Sequence, residues 1–124
     1  MILGLGTDLV DVARISKSIA IYGTKFTHRV FTEGERTYSE SKANTAERYA
    51  ARFAAKEAAM KALGTGWSGG VTWTQIEVTN DADGRPALVL HEAAEARSIE
   101  MGVQRIWLSL THTTQMASAV VIFE

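Results

Sequence analysis

The chain has no cysteine, so disulfide scaffolds, thiolate zinc sites and cysteine nucleophiles are all excluded. Its three histidines are scattered, which argues against an all-histidine metal site. Charge of one sign is also missing: the formal net charge of -1 rules out a globally basic nucleic-acid binder, leaving room only for local basic patches. The opening Met1-Ile2-Leu3-Gly4 lacks the basic flank and long apolar run of a signal peptide, and no later stretch is apolar enough to span a bilayer. A reducing cytoplasm is therefore the expected location. Linkers, repeats and low-complexity tracts are absent too. What remains is 124 residues, 46% hydrophobic and 22% charged, a composition that fits one folded domain over 1–124 and argues against disorder. A core of that size is modest, so oligomerisation would help it.

Local signals alternate between helix and strand. Ile2 to Val10 is apolar and β-branched but broken by Gly4 and Gly6, as in a strand that another element approaches closely. Asp11 can cap a helix carrying Val12, Ile15, Ile19 and Tyr22 at helical spacing, with Gly23 as its stop. Thr32-Glu33-Gly34-Glu35 reads as a capping box opening a short helix through Tyr38. Asn44 and Glu47 form a second cap-like pair before the longest helix, Thr45 to Leu63, which Gly64 ends. A glycine-rich turn, Trp67 to Gly70, leads to a strand over Val71 to Val78. Turn residues at Asn80 to Gly84 precede another strand near Ala87 to Leu90. His91 to Met101 reads as helix, and Arg105 to Thr111 with Gln115 to Phe123 as a closing hairpin. Helices intermixed with antiparallel strands make the class α+β.

Two acids stand on faces meant for hydrophobes. Glu57 follows Phe53 by four and Ala54 by three, so it falls on the apolar stripe of the long helix. It either forms a surface ion pair with Lys61, four residues on, or serves a metal. Asp8 lies at period two from Gly4 and Gly6, so all three share one strand face. If the long helix packs on those glycines, the two carboxylates converge. Two hard oxygen donors that leave the rest of a shell to water and phosphate suit Mg²⁺. A second stripe on the helix, Arg48, Arg52 and Lys56, is either a solvated face or a set of phosphate ligands. Gly64-Thr65-Gly66 gives flexible backbone just past Lys61, without the lysine-serine or lysine-threonine pair of a Walker loop.

These residues resemble a known family. Gly4-Leu5-Gly6-Thr7-Asp8-Leu9-Val10-Asp11-Val12-Ala13-Arg14-Ile15 is similar to the N-terminal signature of the holo-acyl-carrier-protein synthases, small 4′-phosphopantetheinyl transferases. Arg52-Phe53-Ala54-Ala55-Lys56-Glu57-Ala58-Ala59-Met60-Lys61-Ala62-Leu63-Gly64-Thr65-Gly66 is similar to their central signature. Ile76-Glu77-Val78, Asp83-Gly84-Arg85-Pro86 and Leu108 to Thr113 fit later blocks in order, while Lys25 to Ala46 matches weakly.

The resemblance implies an antiparallel sheet packed with a long central helix and shorter helices. It also implies transfer of 4′-phosphopantetheine from coenzyme A to a serine of apo-acyl carrier protein, with release of adenosine 3′,5′-bisphosphate, in support of fatty acid synthesis. Asp8 and Glu57 would hold Mg²⁺ and Lys61 would stand nearest the reacting phosphates. Arg52, Lys56, Gly64, Gly66 and His112 would contact coenzyme A, and Arg14 and Lys17 would meet the acidic carrier. The general base is open among Glu57, Asp8 and a metal-bound water. A homotrimer with sites between subunits is expected. Two other classes compete: a non-catalytic module binding coenzyme A or a nucleotide, and a Mg²⁺-dependent phosphohydrolase.

Overall fold

The computed structural model describes residues 1–64, 66 and 69–124. Thr65 and the Trp67-Ser68 part of the expected glycine-rich turn lie outside the described residues. Strand β1 (Gly4–Asp11) is followed by helices α1 (Val12–Tyr22), α2 (Thr24–Val30), α3 (Glu33–Glu40) and α4 (Thr45–Leu63). Then come a 3₁₀ turn (Trp73–Gln75), β2 (Ile76–Asn80), β3 (Pro86–Leu90), α5 (Glu92–Met101), β4 (Ile106–His112) and β5 (Met116–Phe123). The strands form two antiparallel sheets, β1-β5-β4 and the β2-β3 hairpin, which makes the fold α+β.

The larger sheet lies on α4, and the glycines of β1 explain how closely. A Cβ added to Gly6 would penetrate the carbonyl oxygen of Ala58 and lie 2.7 Å from its carbonyl carbon; one added to Gly4 would collide with the carbonyl of Ala62. The strand therefore rests on helix backbone, as the period-two glycines led us to expect. Gly6→Ala is expected to force strand and helix apart and to destabilise the chain by about 3 kcal/mol or more. A urea midpoint equal to the parent's would show that the contact is loose.

Other elements carry their own signatures. The capping box of α3 is formed: Glu35 N donates to Thr32 Oγ1 at 3.2 Å and Thr32 N to Glu35 Oε1 at 2.9 Å. The helix runs to Glu40, two residues past the expected Tyr38. Two cap readings fail. Asp11 occupies the N-cap of α1 and Asn44 that of α4, but neither side chain caps its helix. Instead Asn44 Oδ1 accepts from Arg48 Nε at 3.1 Å, and Glu47 is drawn across to His112. The strand expected from Val71 begins only at Ile76. Ahead of it, Gln75 ties the 3₁₀ turn down by donating to Gly70 O and accepting from Ala94 N. Helix α2 had no forecast; its seven residues turn Thr27 and Val30 inward, and Phe26 meets Phe31 edge-on, with ring centroids 6.0 Å apart.

Among the described residues nothing covers the opposite face of the larger sheet. Leu5, Leu9, Trp107 and Val120 point outward there, with Leu9 66% and Trp107 53% exposed. Among the described residues no helix is long and apolar enough to cross a membrane.

Candidate active site

Asp8 reaches the site because β1 alternates: Gly4, Gly6, Asp8 and Val10 share the side facing α4. Glu57 and Lys61 reach it from α4, one turn apart. Lys61 Nζ donates to the carbonyl oxygen of Thr7 at 2.7 Å and stands 3.4 Å from Asp8 Oδ1. The ion pair that forms is thus Lys61–Asp8, and among the described residues Glu57 has no salt-bridge partner. Burial pushes the Glu57 carboxyl above the usual carboxylate range and the negative charge of Asp8 pushes it further, against the opposing pull of Lys61 and Arg14. The charge of Asp8 thus bears on a partly buried Glu57 carboxyl, an electrostatic conflict that a cation between the two would relieve.

The donor set fits a hard divalent ion. Both donors are carboxylates, and among the described residues no third histidine, cysteine or acid joins them. Such a site leaves most of an octahedral shell to water and substrate oxygens, the habit of Mg²⁺. A cleft of about 350 Å³ opens beside it, lined by Glu57, Met60, Lys61, Gly64 and Gly66. Gly64 ends α4 at φ 74 and Gly66 follows at φ 57, left-handed angles that suit glycine.

Arg14 and Lys17 are exposed on α1. Arg14 lies 5.5 Å over the Phe53 ring and close enough to Glu57 to lower its proton affinity, so α1 borders the carboxylate pair. Its position beside Glu57 was not foreseen.

The remaining basic residues separate into two kinds. Lys56 corrects an expectation: it is neither on a solvated face nor free to meet a phosphate. Its side chain is 0% exposed, paired with Glu35 Oε1 at 2.7 Å, and bonded to the carbonyl oxygens of Trp73 (3.1 Å) and Ile76. All three ammonium protons are committed, which removes Lys56 from the coenzyme A ligands. Burial lowers its pKa and Glu35 opposes that shift. Arg52 is also buried, 3% exposed, with Nη2 donating to Asn80 Oδ1 at 2.6 Å and its guanidinium 4.1 Å over the Tyr38 ring. Its buried Nε has no hydrogen-bond partner among the described residues.

Arg52 forms the wall of a second cleft, about 150 Å³, with His112, Arg48, Tyr38 and Asn80. His112 lies 3.0 Å through Nδ1 from Glu47 Oε1. The two clefts share no described lining residue, and His112 is held to Glu47, ten residues or about 15 Å of helix rise before Glu57 on α4. In the sequence Tyr38 read only as the end of the capping-box helix and Asn80 only as the first turn residue, with no sign that they share a site.

Comparison with known proteins gives this geometry a family. The model of the 4′-phosphopantetheinyl transferase superfamily matches residues 4–121. A holo-[acyl-carrier-protein] synthase of Solibacter usitatus is 54% identical over the whole of this chain and 99% of its own, and one of Koribacter versatilis is 52% identical with the same coverage. The crystal structure of the Neisseria meningitidis synthase superposes with a TM-score of 0.91 at 35% identity, covering 100% of this chain and 99% of that one. The Bacillus anthracis synthase in complex with coenzyme A (3′,5′-ADP) superposes at 0.81, also at 35% identity, covering 99% and 96%. The chain belongs to the 4′-phosphopantetheinyl transferase superfamily and, within it, to the holo-[acyl-carrier-protein] synthases.

Proposed function

We propose that the chain is a Mg²⁺-dependent transferase that moves 4′-phosphopantetheine from coenzyme A to a serine of apo-acyl carrier protein, at a site built on Asp8 and Glu57. The observation that carries this is the convergence of the two carboxylates with Lys61 beside an open cleft. The serine Oγ gives up its proton to a base, Glu57, Asp8 or a water, and attacks the β-phosphorus of coenzyme A; the bond to the bridging oxygen breaks, and adenosine 3′,5′-bisphosphate departs with that bond's electron pair. A bound Mg²⁺ would offset the charge that grows on the pyrophosphate oxygens. Lys61, anchored by the carbonyl of Thr7, holds a fixed cation at the edge of that cleft. The backbone of Gly64 and Gly66 lets the pyrophosphate approach without a side chain in the way.

The second cleft suits the nucleotide end. His112 and Arg52 present nitrogen donors there, fit for the 3′-phosphate. Because it is separate from the carboxylate cleft, a complete site would draw Asp8 and Glu57 from one subunit and His112 from a neighbour. The uncovered apolar face of the β1-β5-β4 sheet gives a homotrimer a surface to bury. A cytoplasmic enzyme serving fatty acid synthesis follows from the same activity.

Incubation with coenzyme A, Mg²⁺ and apo-carrier, read by mass spectrometry, tests the proposal. A carrier mass gain matching phosphopantetheine supports it. Release of bisphosphate without carrier modification would mean hydrolysis, and binding alone would mean a non-catalytic module.

The carrier meets α1 in this scheme. Lys17→Glu is expected to raise KM for the carrier about tenfold while leaving KM for coenzyme A unchanged, with the defect shrinking as salt screens the attraction over about 8 Å. Arg14→Glu should do the same more strongly and also lower kcat, because it removes the cation beside Glu57. Equal loss for both substrates in Lys17→Glu would take α1 out of the docking surface.

A further inference from the structure

Helix α4 poses an orientation problem. Eight of its residues are alanine, and 13 of its 19 residues are buried, so no polar face tells it how to turn. Against β1 it offers Ala58 and Ala62 to Gly6 and Gly4. Backbone resting on backbone fixes the separation of the two elements, and the side chain that crosses there, Lys61 to Thr7 O and Asp8, is more than half exposed and long enough to follow a modest roll of the helix about its axis. Glu57 stands about 100° round from Ala58, and a roll of about 20° would carry a carboxylate some 6 Å off the axis through about 2 Å. A productive metal geometry tolerates about 0.5 Å.

Lys56 stands about 160° from Ala58, on the far side of the helix. There its ammonium meets Glu35 of α3, the carbonyl of Trp73 in the 3₁₀ turn and the carbonyl of Ile76 at the start of β2. Glu35 is as constrained: Oε1 also accepts from Thr32 N at 2.9 Å, and Oε2 accepts from Val78 N at 2.8 Å. Both side chains are 0% exposed. A buried charge with three directional acceptors from three elements has one satisfactory position, and any rolled arrangement leaves it unpaired.

We propose that the Glu35–Lys56 pair is the rotational key of α4, which makes both side chains positioning residues that hold Glu57 toward Asp8 and so set metal affinity without touching substrate. This rests on the Asp8–Glu57 metal site proposed above, and the experiment separates the two. Mn²⁺ alone is titrated into the full chain and followed by electron paramagnetic resonance, well below each variant's unfolding midpoint and with folding confirmed by circular dichroism. Glu57→Gln must bind Mn²⁺ far more weakly than the parent; if it does not, the metal site itself is wrong. Lys56→Met is expected to weaken Mn²⁺ about tenfold, and Glu35→Asp, which keeps the charge but withdraws it by one methylene, about threefold. KM for the carrier should not move in either. If Glu57→Gln loses Mn²⁺ while folded Lys56→Met and Glu35→Asp bind it as the parent does, with only their midpoints lowered, the pair is structural and the key is refuted. Should Lys56→Met fail to fold, Glu35→Asp decides on the same terms.

Discussion

Asp8→Asn and Glu57→Gln are each expected to reduce phosphopantetheine transfer about a thousandfold or more while the chain stays folded. Each exchange keeps the shape of the side chain and removes one of two negative charges. Glu57→Gln should also differ from ordinary catalytic variants in the sign of its stability effect. In the metal-free chain the Glu57 carboxyl is raised by burial and by Asp8, so the folded state holds its proton more tightly than the unfolded state does. Stability from this group is then greatest below the unfolded value, near 4.5, and falls as pH rises through the raised folded value. Glu57→Gln removes that penalty. Its metal-free melting temperature should exceed the parent's by a few degrees at pH 7, and the gain should fade as pH drops toward 4. Near-normal turnover with unchanged Mg²⁺ dependence in either variant would sink the two-carboxylate site. A Glu57→Gln melting curve identical to the parent's at pH 7 would mean the carboxylates do not oppose one another.

The second large effect concerns mixed subunits. Asp8→Ala and His112→Ala, each nearly inactive alone, are expected to recover activity when mixed and allowed to exchange. Asp8 pairs with Lys61 at one end of α4 while His112 is held to Glu47 at the other, so a site made between chains can escape both lesions. With equal amounts and random exchange, about a quarter of clefts take Asp8 from one variant and His112 from the other. Activity should therefore rise to about a quarter of the parent's per cleft. Light scattering must show that mixed trimers have formed. Mixed trimers without recovered activity would place both residues in the same cleft or make His112 structural through Glu47, and a fully active monomer would remove the shared site altogether.

The sequence disclosed the placement of Asp8 and Glu57 because both signals are local. Period two on β1 puts Asp8 with two glycines, and helical spacing puts Glu57 on the inward side of α4; one assumption about packing joined them. Lys56 was misread for the complementary reason. Its spacing of four from Arg52 looks like a solvated stripe, yet α4 is enclosed on nearly every side, and the partner that makes burial tolerable is 21 positions back in a helix recognised only by its capping box. No local pattern reveals a pairing of that range. The same limit hid the second cleft, since Tyr38, Asn80 and His112 meet only once α3, β2 and β4 have converged on α4. Helix α2 escaped for want of length: seven residues give period 3.6 too few turns to repeat.

The pairing of β1 has a consequence for how the protein is made. Its ladder partner is β5, with Gly4 opposite Phe123 and Asp8 opposite Ala119. Strand β1 ends at Asp11 and β5 begins at Met116, so during synthesis the strand bearing Asp8 leaves the ribosome about 105 residues ahead of its ladder partner. At about 5–20 residues per second that delay is about 5–25 seconds, long against the time in which helices such as α4 can form. The ladder that fixes the register of Asp8 is thus completed late. Folding intermediates would hold β1 by its contacts with α4 alone, with its ladder edge unpaired and its apolar outer side a surface for chaperones to cover.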